Sequence, residues 1–311
     1  MMLDRGVSSV VDEIKRNTVN GQYRALKADH KAYVKRKYSK VQCLKVAMDQ
    51  SLWQFVEKNI KADQSPEGIS GRIKNQESNL QYASSKAIYK FIKSPHGRLI
   101  EKHLYGKAVK KKSGPKRGQA VSIDGRTMID ERPKKVASRR EFGHWEGDFI
   151  ESGKDGKGSL LVLVERKTRF PFLRYLEDRT TEAVNQLIRE TLAGVPIESL
   201  TIDNDISFQK HHELSALIEA EIYFCHPQAP HEKGTVENRN KAIRRYVPKR
   251  SDLSQYSLDH FSLVEQRLRT KFMKCLNYQT PAESFARELL KQKKPRVRGM
   301  MGRRLLSEIK S

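Results

Sequence analysis

Cysteine, acidic residues and long apolar runs are what this chain is short of. Its three cysteines, Cys43, Cys225 and Cys275, lie far apart with no CxxC pair, which argues against a disulfide framework and against structural zinc. A zinc site drawn from Cys225, His226 and His231, or from the adjacent His211 and His212, fits no standard ligand spacing, so these histidines read as residues of the surface or facing a polyanionic partner. No apolar run approaches the roughly 20 residues that span a bilayer, and the N-terminus lacks the apolar core of a signal peptide. The expectation is a globular protein of the cytoplasm with no membrane partner. Acidic residues number 37 against 61 Lys and Arg, a net charge of +24 in 311 residues. An imbalance of that size favours polyanions, through phosphate contacts and counterion release. The hydrophobic share of 37 % falls in regular apolar stretches, so the chain reads as folded rather than disordered, and its length allows two domains.

The N-terminal part reads as helical. Val7, Val10, Val11 and Ile14 recur at i, i+3, i+4 and i+7, with Ser8, Ser9, Asp12, Lys15 and Arg16 on the other side. Leu44, Met48, Leu52, Phe55 and Val56 form a second apolar stripe. Ser65-Pro66 is an N-cap followed by a first-turn proline, and Ser84 or Ser85 caps a further helix. That helix is expected to bury Ile88, Phe91 and Ile92 and to turn Lys86, Tyr89, Lys90 and Lys93 outward. Between Lys107 and Arg140 the composition shifts to Lys, Arg, Gly and Ser, including Lys110, Lys111, Lys112, Lys116 and Arg117, which predicts a flexible linker.

From Gly143 the pattern becomes α/β. Strands are expected at 143–151, at the continuous apolar run 160–164 and at 170–176, forming a meander. A helix at about 181–192, a strand ending at Asp203, a helix near 212–218, a short strand at 222–225 and a helix carrying Glu237 follow. Helices at about 258–272 and 281–291 close the domain, and a basic tail runs from Gln292 to Ser311.

Three carboxylates stand out. Asp148, in GHWEGDFI, sits among strand-forming residues where Asp is disfavoured, and Asp203 ends an apolar-flanked stretch. Glu237 opens a helical stretch after a loop, with 33 residues between it and Asp203. Each has a plain alternative: an ion pair for Asp148, a cap on the Asn204-Asp205 turn for Asp203, and the helix macrodipole for Glu237. Their context decides between the readings. The segments GHWEGDFI, LVERKTRF, TIDND, YFCHPQAPHEKGTVENRN, RRYVPKRSDLS and TPAESF, in that order, resemble the bacterial insertion-sequence transposases of the "IS thirty" group over roughly residues 7–290.

The resemblance implies a ribonuclease H-like, integrase-type catalytic core at 143–291, a mixed sheet with helices. A shortened first helix-turn-helix and connector (1–38), a second helical DNA-binding domain (39–105) and a basic linker (106–142) would precede it, and the tail (292–311) lies beyond it. It implies that Asp148, Asp203 and Glu237 are at once the catalytic triad and the metal ligands, for Mg²⁺ or Mn²⁺, as two ions with Asp148 bridging. Oxygen ligands suit such ions, and a pair of them can activate an oxygen nucleophile and stabilise a leaving oxyanion. The implied function is cleavage and transfer of DNA strands at terminal inverted repeats, a 3′ hydroxyl attacking another phosphodiester. The implied partners are repeat and target DNA and further copies of the chain, in the bacterial nucleoid. Lys86, Tyr89, Lys90 and Lys93 would then face the major groove. Asn240, Lys241, Arg244 and Arg245 would hold terminal DNA near the metals, Asn240 and Arg244 matching the family pattern. Glu146 and Glu165 also match, as ion-pair partners. Asp205 and Ser207 stand where the family has Gly and an acid, so Asp203 is taken as the second acid by motif position. His226 and His231 stand where the family has an acid and an aromatic, and read as touching DNA or shaping the loop. The alternatives are a domesticated or inactive transposase acting as a repressor, whose hallmark would be a lost acid, and a nuclease that does not join strands. All three acids are present.

Overall fold

The structure, a computed structural model, describes residues 6–42, 44–104, 123–227 and 229–292. Cys43, the lysines and arginine at 110–117, and the basic tail from 293 lie outside the described residues, as does the side chain of His231. The chain divides into two compact units, Met1–Tyr105 and Gly106–Ser311.

The first unit is helical: α1 (Val7–Asn17), a two-stranded hairpin of β1 (Thr18–Val19) and β2 (Gln22–Tyr23), α2 (Ala25–Gln42), α3 (Lys45–Met48), α4 (Gln50–Lys61), α5 (Pro66–Asn75) and α6 (Ser85–Ile92). α1 forms where the apolar period predicts it, but none of its residues is buried and Val7 is 80 % exposed. The second stripe is interrupted. Asp49 ends α3 and caps α4, its carboxylate accepting from Leu52 N at 3.0 Å. The helical phase resets there, so Leu44, Leu52 and Val56 are buried while Met48 is left outside. Ser65 caps α5, accepting from Gly68 N at 3.0 Å with Pro66 in the first turn, and Ser84 caps α6, accepting from Ala87 N at 3.3 Å. The buried face of α6 is Ile88, Phe91 and Ile92, and the Phe91 ring meets Trp53 edge-on at 5.2 Å.

The second unit is a five-stranded sheet covered on both faces. Its strands are β3 (His144–Glu151), β4 (Ser159–Glu165), β5 (Pro171–Leu176), β6 (Ser199–Ile202) and β7 (Glu221–Phe224), in the order β5-β4-β3-β6-β7. β3, β4 and β5 form the antiparallel meander, and β6 and β7 add on parallel to β3. α7 (Lys134–Ala137) precedes the sheet; α8 (Thr181–Leu192), α9 (His211–Ile218), α10 (Gly234–Ile243), α11 (Leu258–Arg269) and α12 (Pro281–Lys291) complete the unit. This three-antiparallel, two-parallel order is the ribonuclease H-like arrangement.

Alternation along the strands sorts the core into two layers. Trp145, Leu161, Leu163, Phe172, Leu200 and Ile202 point to the side of α8, α9 and α12, where Phe170 stacks on Phe285 at 4.2 Å. Ile150, Leu160, Val162 and Val164 point to the side of α10 and α11, against Val236, Ile243, Phe261, Val264 and Leu268. Wholly buried β4 is therefore apolar at nearly every position, as a central strand must be. Thr180 caps α8, and Thr280 forms a capping box with Glu283 ahead of Pro281 in α12. The described end of the stretch expected as a linker is no free tether. Ile123 and Val136 are buried, Phe224 N donates to Thr127 O at 2.9 Å, and Arg132 donates to Thr201 Oγ1 at 3.0 Å.

Candidate active site

The parallel pairing of β3 and β6 sets Trp145 opposite Leu200 and Glu146 opposite Thr201. Continuing that register by two residues puts Asp148 level with Asp203, which follows the last residue of β6. Adjacent strands lie about 4.8 Å apart, so the topology alone makes two carboxylates neighbours. Asp148 shares its strand face with Glu146 and Ile150, the face that α10 covers.

A cation stands between the acids. Lys233, immediately before α10 and 7 % exposed, donates through Nζ to Asp148 Oδ1 at 2.9 Å and pairs with Asp203 Oδ2 at 3.0 Å. Asp148 Oδ2 accepts from Asn240 Nδ2 at 2.6 Å. Burial pushes the Asp148 carboxyl up from its ordinary value, the Lys233 ammonium pulls it back and the Asp203 charge adds to the rise. For Lys233, burial works against the ammonium, but the charges of Asp148 and Asp203 and the hydrogen bonds to them outweigh it. The lysine pKa is therefore raised.

Glu237 takes a different place from the other two acids. On α10 it lies four residues after Lys233 and three before Asn240, spacings that put all three on one helical face. Its ion pair is with Lys241 on its own helix, at 4.0 Å. Among the described residues no three His, Cys, Asp or Glu side chains stand close enough together to hold a metal ion. The structure thus unites Asp148 and Asp203 at one cation and leaves Glu237 beside them on the covering helix.

The residues fit a divalent cation on three observations. The donors are carboxylate and amide oxygens, the kind Mg²⁺ prefers. A positive charge already bridges two of them. Asp203 Oδ1 and Asn240 Oδ1 are buried without a hydrogen-bond partner, an arrangement that is costly unless something supplies a positive charge or donor. Asp205 is occupied otherwise: it accepts from Ser207 N at 2.9 Å as the cap of a short 3₁₀ turn and pairs with Arg179 Nη2 at 3.2 Å. The turn-capping alternative considered for Asp203 therefore belongs to Asp205. Cys225, buried nearby, has its thiol pushed up to about 12 by burial, which favours the protonated thiol over the thiolate.

The other expected site residues separate. Lys86, Tyr89, Lys90 and Lys93 lie exposed along one side of α6. Lys241 is exposed on α10 and Arg245 is exposed in the turn that follows it. Asn240 faces Asp148 instead, and Arg244 is half-buried, donating to Pro248 O at 3.2 Å and Glu151 O at 3.3 Å, so it braces the loop after the helix. Glu146 does pair with an arginine, Arg166, at 2.8 Å, whereas Glu165 accepts from Thr168 N and Oγ1, both at 2.6 Å, and from Gly143 N at 3.2 Å. His211 departs from the surface reading: it is buried, edge-on to Phe224 at 5.0 Å, with Nε2 3.2 Å from Gly125 O. His226 holds the loop after β7, its ring nitrogens 3.0 Å from Asp130 Oδ2 and 3.0 Å from Glu232 Oε1. Lys233 was not visible as a site residue. Its signal was its place one helical turn before Glu237.

None of the protein-family models matches the chain. Among curated proteins it is 32 % identical to the transposase InsI for insertion sequence element IS30C of Escherichia coli (strain K12), over 92 % of this chain and 77 % of that protein. It is 33 % identical to the transposase for insertion sequence element IS4351 of Bacteroides fragilis, over 89 % of this chain and 86 % of that protein. Among solved structures it is similar to the catalytic core domain of BIV integrase, with a TM-score of 0.40 and 17 % identity, over 49 % of this chain and 98 % of that one. On the sequence relatives, which it matches along nearly its whole length, the chain belongs to the IS30 family of insertion-sequence transposases.

Proposed function

We propose that this transposase binds the terminal inverted repeats of its element and cleaves and joins DNA strands by divalent-metal-dependent phosphodiester chemistry, with Asp148, Asp203 and Glu237 as the acid set. The observation that carries the reading is the cation bridge. Two carboxylates from adjacent parallel strands share one buried ammonium, and Asp203 keeps an unsatisfied oxygen beside it. Asp148, Asp203 and Glu237 would hold Mg²⁺ or Mn²⁺. Such ions, when bound, lower the pKa of an attacking oxygen and stabilise the leaving one.

The chain's own residues do the positioning. Asn240 fixes Asp148 through Oδ2, which orients the carboxylate plane. Lys233 is available to a phosphate once a stronger cation holds the acids. Lys241 and Arg245, exposed one and two turns beyond Glu237, are placed to grip phosphates of the terminal strand. Lys86, Tyr89, Lys90 and Lys93 on α6 form the repeat-reading face, and several copies assemble on DNA.

The test is amide substitution. Asp148→Asn, Asp203→Asn and Glu237→Gln are each expected to abolish cleavage and joining of repeat-bearing DNA while leaving repeat binding intact, and Asp205→Asn to be milder. Loss of cleavage in Asp205→Asn with activity retained in Asp203→Asn would move the second acid to Asp205.

A further inference from the structure

Glu146 is fully buried on β3, two residues before Asp148 and on the same strand face. It does more than pair with a base. Its Oε1 accepts from Arg166 Nε at 2.8 Å, while its Oε2 accepts from two backbone N–H groups, Thr235 at 3.0 Å and Val236 at 2.9 Å. Those two residues are in the first turn of α10, the helix of Glu237 and Asn240. α10 has no side-chain cap of its own, because Lys233 precedes it. The first N–H groups of any helix need acceptors, and its N-terminus favours a negative charge. Here both needs are met from the strand that carries the first acid. Arg166 is in turn held by Val136 O at 2.8 Å, so the carboxylate is fixed from both sides.

We infer that Glu146 is a positioning residue for the acid set: it pins the first turn of α10 to β3 and so fixes how Glu237 and Asn240 stand to Asp148. The inference rests on reading Asp148, Asp203 and Glu237 as the metal ligands. A pure ion pair would need only the Arg166 contact. The two bonds to α10 are what a role in site geometry requires, since ligand constellations must be held within about 0.5 Å. Glu146→Asp keeps the charge and withdraws the carboxylate by about one C–C bond, roughly 1.5 Å, enough to lose both backbone bonds.

The experiment is a double-variant cycle on the full chain, read by Mn²⁺ binding in electron paramagnetic resonance, with circular dichroism to verify folding. Glu237→Gln is expected to weaken Mn²⁺ binding about tenfold or more, and Glu146→Asp by a similar factor, as loss of a ligand-orienting partner does. The combined variant should lose much less than the product of the two single factors, because Glu146 acts largely through Glu237, with Asn240 on the same helix carrying the remainder. Wild-type Mn²⁺ affinity in folded Glu146→Asp, or losses that multiply in the combined variant, would overturn the inference. Wild-type affinity in Glu237→Gln would overturn the ligand reading instead. Should Glu146→Asp not fold, the apolar pair Glu146→Leu with Arg166→Met, which removes the acceptor of both backbone bonds and leaves no unpaired charge, replaces it in the same cycle, with the same outcomes deciding.

Discussion

At the scale of single residues, Lys233 ties the site together without any metal. Its ammonium neutralises Asp148 and Asp203 at 2.9 and 3.0 Å, and it matters most to Asp148, whose side chain is 19 % exposed against 42 % for Asp203. Lys233→Met should therefore leave two carboxylates facing each other. The metal-free protein is expected to lose stability, by at most the roughly 3–5 kcal/mol of a broken buried pair and by less to the extent that solvent reaches Asp203. Mn²⁺ should bind about tenfold tighter or more, since it no longer competes with an internal cation. Thermal melting with and without Mn²⁺ checks both, and an unchanged metal-induced shift in Tm would show that Lys233 does not occupy the cation's place. His226 allows a pH test on the adjoining loop. The hydrogen bond to Glu232, with Asp130 adding, raises its pKa above the ordinary 6.5. A raised imidazole contributes stability that is complete below the unfolded value and is lost as pH rises through the folded one. The loop joining β7 to α10 should accordingly exchange amide protons faster, beyond the intrinsic pH effect, as pH climbs from about 6 through that raised value. His226→Gln should remove the step.

At the scale of elements, α6 separates stability from recognition. Ile88 is completely buried, so Ile88→Ala should cost about 2–5 kcal/mol by leaving a cavity. Lys86→Ala and Lys90→Ala lie on the exposed side and should leave Tm nearly unchanged while weakening binding to repeat DNA. Chemical denaturation beside a DNA titration checks the pair, and DNA affinity unaltered by both lysine changes would remove α6 from recognition. The amphipathic period of α6 was legible in the sequence because its apolar residues meet one core. α8 and α12 fall where they were expected, at about 181–192 and 281–291, and Thr180 and Thr280 cap their starts. β4 was legible because both its faces are buried. What could not be read was anything decided by contact across the fold. The stripe through Met48 looked continuous until Asp49 reset the helix phase. His211 gave no sign of burial, which depends on Phe224 and Gly125 coming to meet it. In the site itself the motif spacing picked out the acids, and strand register explains the neighbouring pair. Lys233 and the backbone bonds of Glu146 became visible only once α10 lay on β3.

At the scale of the whole molecule, the proposed function requires the net charge and the acid set to act on one ligand. A net charge of +24 favours the phosphates of any duplex, whatever its sequence. Affinity alone therefore cannot identify the substrate; the dependence on salt and on metal can. Raising salt should weaken binding to scrambled DNA steeply, and the ratio of repeat to scrambled affinity at near-physiological salt reports true recognition. The metal comparison then tests catalysis independently of that background. Mg²⁺ and Mn²⁺ should support strand cleavage on repeat-bearing DNA, whereas Ca²⁺ should support complex assembly with little turnover. Ca²⁺ is larger and accepts more ligands in looser geometry, so it holds nucleophile and leaving oxygen less well in line. The measurement is cleavage in chelator, Ca²⁺, Mg²⁺ and Mn²⁺ at one fixed ionic strength, so that counterion release is the same in every arm. Undiminished cleavage in chelator would mean that the Lys233-bridged acids work without an added cation, and the metal reading of the site would fall.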